Sequence, residues 1–229
     1  MIHYAHSWIS QWRPAPAGGT AAPPTPCQPP AGRGPSRPAV QAALRVFARA
    51  GYRSTGTLDI AREAGVGEPT IYRYFADKKD LYLEVLRRSA DLILAGWSQV
   101  AAEESNPLRA MTAIGNWYHR SVGQEPDPLW VRARAIAESQ DEDIRSVVRE
   151  AYLQCFLFVR NLLLSAREQG LIDAEADIDA IAWLFMGVGQ TIDMATLLEM
   201  PEAINPDILQ SMEQLFRRAM SYRRETSAT

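Results

Sequence analysis

The chain is poor in the residues that do chemistry. Its 229 residues hold two cysteines. Cys27 and Cys155 fall in stretches of very different character, which excludes a disulfide framework or a cysteine zinc knuckle. The three histidines are His3, His6 and His119. His119 has no carboxylate or histidine one helical turn on, so no zinc site is expected. There is no phosphate-binding Gly-x-x-x-x-Gly-Lys-Ser/Thr run and no Gly-x-Gly-x-x-Gly after a strand. A nucleophile elbow for Ser-His-Asp catalysis is also missing. An enzyme is therefore not expected, and neither is a cofactor, a metal or a catalytic residue. No run of 18 apolar residues occurs. The most apolar window, Ile178–Leu198, is interrupted by Asp179, Gln190 and Asp193, and no membrane span is expected. Met1–Ala22 lacks the basic start and apolar stretch of a secretion signal, so the chain reads as cytoplasmic.

What is present is a globular composition, 47% hydrophobic and 22% charged. The net charge of -3 speaks against a general nucleic-acid coat protein. That average conceals an uneven distribution. Residues 1–32 carry the single charge of Arg13. Residues 33–90 carry eleven basic and six acidic residues, a surplus of +5. Residues 91–229 carry twelve basic and twenty-one acidic residues, a balance of -9. A basic block ahead of an acidic body suggests a polyanion-binding head on a body that does something else.

The first segment is not a domain. Nine of the fifteen prolines lie between Met1 and Pro38, with Gly18, Gly19, Gly32 and Gly34, and no apolar periodicity. Pro23-Pro24 and Pro29-Pro30 forbid helix. Residues 1–32 read as a flexible tail or an upstream start-codon artefact. The sharper reading is a tail whose end, Arg33-Gly-Pro-Ser-Arg37, lies in a DNA minor groove. Trp8 and Trp12 could instead anchor a local contact, though nothing supports it.

Helical periodicity begins at Pro38, with Val40, Ala43, Leu44, Phe47 and Ala48 on one face. Ser36 is placed to cap this helix and Gly51 to stop it. A second helix follows Thr57, an N-cap candidate, and ends at Gly65. A third spans Glu68–Phe75, with Pro69 near its first turn. Asp77 caps a fourth that carries Leu81, Val85 and Leu86 on its buried side. Two short helices joined by a tight glycine turn have the geometry of a helix-turn-helix. Tyr72, Arg73 and Tyr74 are too polar and bulky for so small a core and are expected to face outward, toward phosphates. Lys78 and Lys79, the only lysines, sit at a helix amino end, where the dipole reinforces a phosphate site.

The run from Thr57 to Val66, then Thr70–Phe75, then Asp77, Lys78 and Leu81, resembles the TetR family of transcriptional regulators, and the spacing from Phe47 and Gly51 onward fits without gaps. The likeness covers residues 36 to about 85. It implies an all-α fold: a three-helix DNA-binding head (33–82) and a helical ligand-binding and dimerisation domain (83–229). By position, it implies that Thr57, Tyr72, Tyr74 and Lys78 hold the phosphate backbone and that Glu68, Pro69, Thr70 and Arg73 face base edges. Gly67 departs from the Ser or Thr that the family often has there. The alternative is that the Tyr-Arg-Tyr-Phe cluster is a packing surface, in an adaptor whose head binds protein.

The body reads as amphipathic helices with no strand signal. They run from Leu108 to about Val122, Leu129 to Glu138, Asp141 to Gly170, Ile178 to about Met200 and Pro206 to about Tyr222. The last two are expected to form a homodimer interface, with Phe185, Met186, Gly189, Ile192, Leu215, Phe216 and Met220 as candidates. Completion of the monomer core is the other possibility. Trp117, His119, Trp130, Phe156 and Trp183, with Tyr118, Phe185 and Met186, are candidates to line a pocket for a small, moderately hydrophobic effector, and Arg120, Arg132 or Arg134 could add an anion anchor, though exposure on the surface is the default for arginine. Cys155, on the apolar face of the longest helix, reads as a buried hydrophobe. The expected whole is a dimeric regulator, a repressor or an activator, on a near-palindromic double-stranded DNA operator.

Overall fold

A computed structural model describes residues 37–220, and the Pro/Gly-rich segment with Cys27, Ser36 and the Arg33–Ser36 stretch lies outside them. The side chains of Arg37 and Met220, each a candidate contact, also lie outside the described residues. The described residues fall within one compact unit. They form nine α-helices and a short 3-10 turn, and no strand occurs among them.

The head follows its punctuation. α1 (Arg37–Ser54) turns non-helical at Gly51, whose φ of 78° is a conformation glycine alone adopts cheaply. α2 (Thr57–Ala64) begins after Gly56, so Thr57 is the first helical residue rather than the cap. Gly65 closes α2 in the left-handed region at φ 66°. α3 (Glu68–Tyr72) starts from Gly67 with no side-chain cap and stops three residues earlier than expected. α4 (Lys78–Ala102) has a reciprocal cap. Asp77 accepts from the Asp80 N–H at 2.8 Å, and Asp80 accepts from the Ala76 N–H at 3.1 Å.

The body comprises α5 (Pro107–Gln124), α6 (Asp127–Ala137), α7 (Glu142–Glu168), α8 (Ile178–Leu197) and α9 (Pro206–Met220). Asn106, Asp141 and Asp177 cap α5, α7 and α8 through their side-chain oxygens. α8 is, by length and composition, apolar enough to cross a membrane. Here it packs against α5, α7 and α9, and its Asp193 is buried in a polar cluster.

Two apolar cores hold the fold. The body core gathers Trp97, Met111, Ile114, Val159, Leu163 and Ile181 from α4, α5, α7 and α8. The other core belongs to the head but is not confined to it. Phe47, Ile60, Ile71, Phe75, Leu81 and Tyr82 are joined there by Val131 and Ala135 of α6 and Ile144 and Val147 of α7. α4 runs unbroken from one core to the other.

Candidate nucleic-acid interface and body cavity

Burial decides which faces of the helix-turn-helix are open. Ile60, Ala61, Ile71 and Phe75 point into the core, each 3% exposed or less. This leaves Pro69, Tyr72 and Arg73 exposed and Thr70 half-buried. Tyr74 departs from the expectation. It leans on the head core, and its hydroxyl accepts from Arg73 Nη2 at 3.1 Å, with the guanidinium 4.9 Å from its ring centroid. The Thr57 hydroxyl, at a buried position, donates to Glu68 and shares a 2.9 Å hydrogen bond with the Tyr72 hydroxyl. Because the threonine proton goes to the carboxylate, the tyrosine must be the second donor. A chain from Tyr72 through Thr57 to Glu68 therefore ties the start of α2 to both ends of α3.

This chain supports a prediction. Thr57→Val keeps the shape but leaves the Glu68 carboxylate and the Tyr72 hydroxyl without their shared partner. Lost hydrogen bonds of this kind cost about 0.5–1.5 kcal/mol each. The urea midpoint is expected to fall with an unchanged m-value, which equilibrium unfolding checks.

The head's positive charge is mostly neutralised from within. Arg45 and Arg49 share Glu63, each at 2.8 Å, and hold its carboxyl below the usual range. Arg62 faces Asp59 at 3.8 Å, and Arg88 faces Glu84 at 3.1 Å. Two further pairs leave the head for the body. Arg53 reaches Glu138 at 3.0 Å, and Lys79 pairs with Asp141 at 2.9 Å and with Asp143. Those carboxylates, Asp143 foremost, push the Lys79 pKa up, and Lys79 in turn holds Asp141 down. Lys79 is thus a clasp onto the cap of α7, contrary to its expected place on phosphate. Lys78 donates to the Tyr52 and Thr55 carbonyls, both at 3.0 Å, and sits 4.6 Å from the Tyr52 ring centroid. Among the described head residues, only Arg73, Lys78 and Arg87 have no carboxylate partner, and the first two flank the turn after α3.

In the body, the aromatic candidates divide. Trp117 and His119 line cavities, of about 260 Å³ and 430 Å³ respectively. Trp130 is exposed, with the Arg134 guanidinium 5.6 Å from its ring centroid. Phe156 and Trp183 stack on each other at 4.6 Å on the outside of the bundle, with Trp183 49% exposed. Neither lines either of these two cavities. The α8 candidates for a dimer contact are displaced the other way. Phe185, Met186, Gly189 and Ile192 line a small inward cavity of about 90 Å³. Phe216 rests on Phe185 at 5.7 Å, and among the candidates with described side chains only Leu215 stands fully outward. The physical reason is helical phase. At 100° per residue, Trp183 and Phe185 lie on opposite sides of a helix that is apolar all round. The outward face is Trp183, Leu184, Met194 and Leu198.

The small cavity carries a polar cluster from three helices. The Tyr118 hydroxyl donates to Asp193 Oδ1 at 2.6 Å, Arg132 Nη2 donates to that hydroxyl at 2.7 Å, and Arg132 stands 3.8 Å from Asp193 Oδ2. Burial pushes the Asp193 carboxyl up, while Arg132 and the Tyr118 hydrogen bond hold it down. Cys155 lines the same wall. Burial pushes its thiol up to about 11, so it is protonated at neutral pH. The sequence offers Tyr118 for a pocket wall and Arg132 as an anion anchor, but it does not join them to Asp193. The one available signal for that was Asp193 itself, a charge inside an apolar run, which demands a buried partner.

Known proteins align with this arrangement. The family described as bacterial regulatory proteins, tetR family, matches residues 39–85. HTH-type transcriptional activator FasR of Mycolicibacterium smegmatis is 43% identical over 58 residues, 25% of this chain and 26% of that protein. HTH-type transcriptional repressor KstR2 of the same species is 32% identical over 93 residues, 41% of this chain and 44% of that protein. The matched stretch thus spans less than half the length of these curated relatives. Among solved structures, regulatory protein TetR of Rhodobacter sphaeroides superposes with a TM-score of 0.67 at 21% identity, covering 81% of this chain and 98% of that one. The transcriptional regulator FadR of Bacillus subtilis, solved with stearoyl-CoA, does so at 0.66 and 17%, covering 80% and 97%. At these identities the structural likeness shows the fold.

Proposed function

We propose, from the match of residues 39–85 to the tetR family of bacterial regulatory proteins, that the chain is a cytoplasmic, non-enzymatic transcriptional regulator that binds a near-palindromic operator as a homodimer. The observation that carries this is the placing of Arg73 and Lys78. Most described head cations are spent on internal carboxylates, and these two remain at the open edge of the helix-turn-helix. In this reading Pro69, Thr70 and Arg73 meet base edges, Lys78 meets a phosphate, and Tyr72 does so once its hydroxyl leaves Thr57. Glu68 and Thr57 reach DNA only if their mutual hydrogen bond opens. The second copy docks on the outward face of α8 and α9, through Trp183, Leu184, Met194, Leu198 and Leu215. Two heads then lie in successive major grooves. Repression relieved by a small effector in the body is the preferred mode. Curated relatives include both an activator and a repressor by name.

The test is selection of bound fragments from genomic DNA with the purified chain, followed by titration against salt. Lys78→Ala is expected to lower the salt slope by about one phosphate contact, and Lys79→Ala to leave it unchanged. No enrichment, or capture of protein instead, would favour the adaptor reading. Equal slopes for both variants would overturn the division between the two lysines.

A further inference from the structure

The small cavity in the body is out of balance in its hydrogen bonding. Trp97, 5% exposed, lines it, and the indole N–H has no hydrogen-bond partner among the described residues. The Tyr152 hydroxyl accepts from Gln190 Nε2 at 2.9 Å, which leaves its own proton unused. The Arg132 guanidinium makes one hydrogen bond, to Tyr118, and its distance of 3.8 Å from Asp193 is too long for a second. On the acceptor side, Asp193 Oδ1 is already taken by Tyr118. Asp193 Oδ2 and Gln190 Oε1 remain as acceptors, but the free N–H and O–H groups of Arg132, Trp97 and Tyr152 outnumber them, beside the Arg132–Asp193 ion pair in an otherwise apolar wall.

We infer that this cavity is the subsite for the carboxylate of an apolar monocarboxylic acid, held by Arg132 with the Trp97 N–H and Tyr152 O–H as further donors. A guanidinium edge matches a carboxylate with two parallel hydrogen bonds. An ammonium group would meet Asp193 but also the Arg132 charge and two donors. An alcohol would supply one acceptor where several donors converge. Size narrows the class further. A cavity of about 90 Å³ holds roughly three waters at ~30 Å³ each. It admits a carboxylate and a short stem but not a nucleotide-sized head group. The apolar remainder is assigned to the neighbouring cavity of about 430 Å³, which shares Phe185, Val188 and Ile192 with this one.

The inference rests on the reading of the body as the effector domain, and the experiment separates the two. Octanoate, 1-octanol and octylamine are titrated into the full chain by calorimetry, with DNA binding measured on the same samples. Octanoate is expected to bind at least tenfold tighter than either neighbour of the series. Arg132→Gln is expected to weaken octanoate tenfold or more and to change octanol less than threefold. Trp97→Phe, which leaves the Arg132 cluster intact, is expected to weaken octanoate a few-fold, and it decides the matter if Arg132→Gln fails to fold. Preference for octylamine, parity with octanol, or no binding of any of the three would overturn the subsite. Octanoate binding that leaves DNA affinity unchanged would keep the subsite and overturn the effector reading. Selective DNA binding without octanoate binding would overturn the subsite and leave the DNA-binding reading standing.

Discussion

Arg73→Ala is expected to weaken binding to the selected operator ten- to a hundredfold. The guanidinium is exposed and has no carboxylate partner among the described residues. It lies over the Tyr74 ring, with its Nη2 on the Tyr74 hydroxyl. Tyr74 in turn leans on the head core. The side chain is therefore held ready rather than free, and less entropy is lost when it engages a base. A good bidentate contact to a base edge is worth about 1–3 kcal/mol of discrimination, and each 1.4 kcal/mol is tenfold. The loss should concentrate on one base-pair position of the operator and leave non-specific DNA nearly unaffected. Anisotropy titrations on the operator, its point variants and a scrambled duplex check this. A uniform loss, with the salt slope lowered by one, would make Arg73 a phosphate contact instead. Because the side chain is exposed, thermal stability should not move.

Gly96→Ala is expected to destabilise the chain by about 1–3 kcal/mol, although alanine is the better helix former. Gly96 lies inside α4 and is buried against Trp117 of α5. A Cβ built there falls 2.0 Å from Trp117 Cζ2 and 2.3 Å from Cη2, well inside van der Waals contact. Alanine gains about 1 kcal/mol of helix propensity. Overpacking of a tight contact costs typically 1–3 kcal/mol, occasionally more. The steric effect wins because the clash is with an indole ring, which cannot bend away. In a chain of this size, each kcal/mol lowers the melting temperature by roughly 2–4 °C. A second substitution, Trp117→Leu, should restore part of the loss in the double variant. Additive losses would show that the indole is not the obstacle.

The head was legible because its signals are local. Gly65, Pro69 and Asp77 mark turns and caps within a few residues of the helices they bound, and the structure uses each in that way. α3 ends at Tyr72, earlier than its pattern suggests, although the Phe75 N–H still donates to the Ile71 carbonyl at 3.0 Å. The body was legible as helices but not as faces. α8 is apolar on every side, so periodicity could not say whether Trp183 or Phe185 looks inward. Lys79 was misplaced because its carboxylates stand on α7, more than sixty residues on. The Tyr118, Arg132 and Asp193 cluster draws on three helices. Only tertiary packing brings such residues together, and a one-dimensional pattern registers Asp193 merely as an interruption.

The core that unites Phe47 and Tyr82 with Val131, Ala135, Ile144 and Val147 has a bearing on protein engineering. The head is not a detachable cassette. Cut after α4's first turns, it would present a hydrophobic scar where α6 and the start of α7 had been. A chimera that grafts this head onto another body must carry those two segments along, or find a body with side chains of matching volume at the same four places. Residue-level compatibility at that seam, more than the quality of the DNA-reading surface, sets which sensors this head could serve.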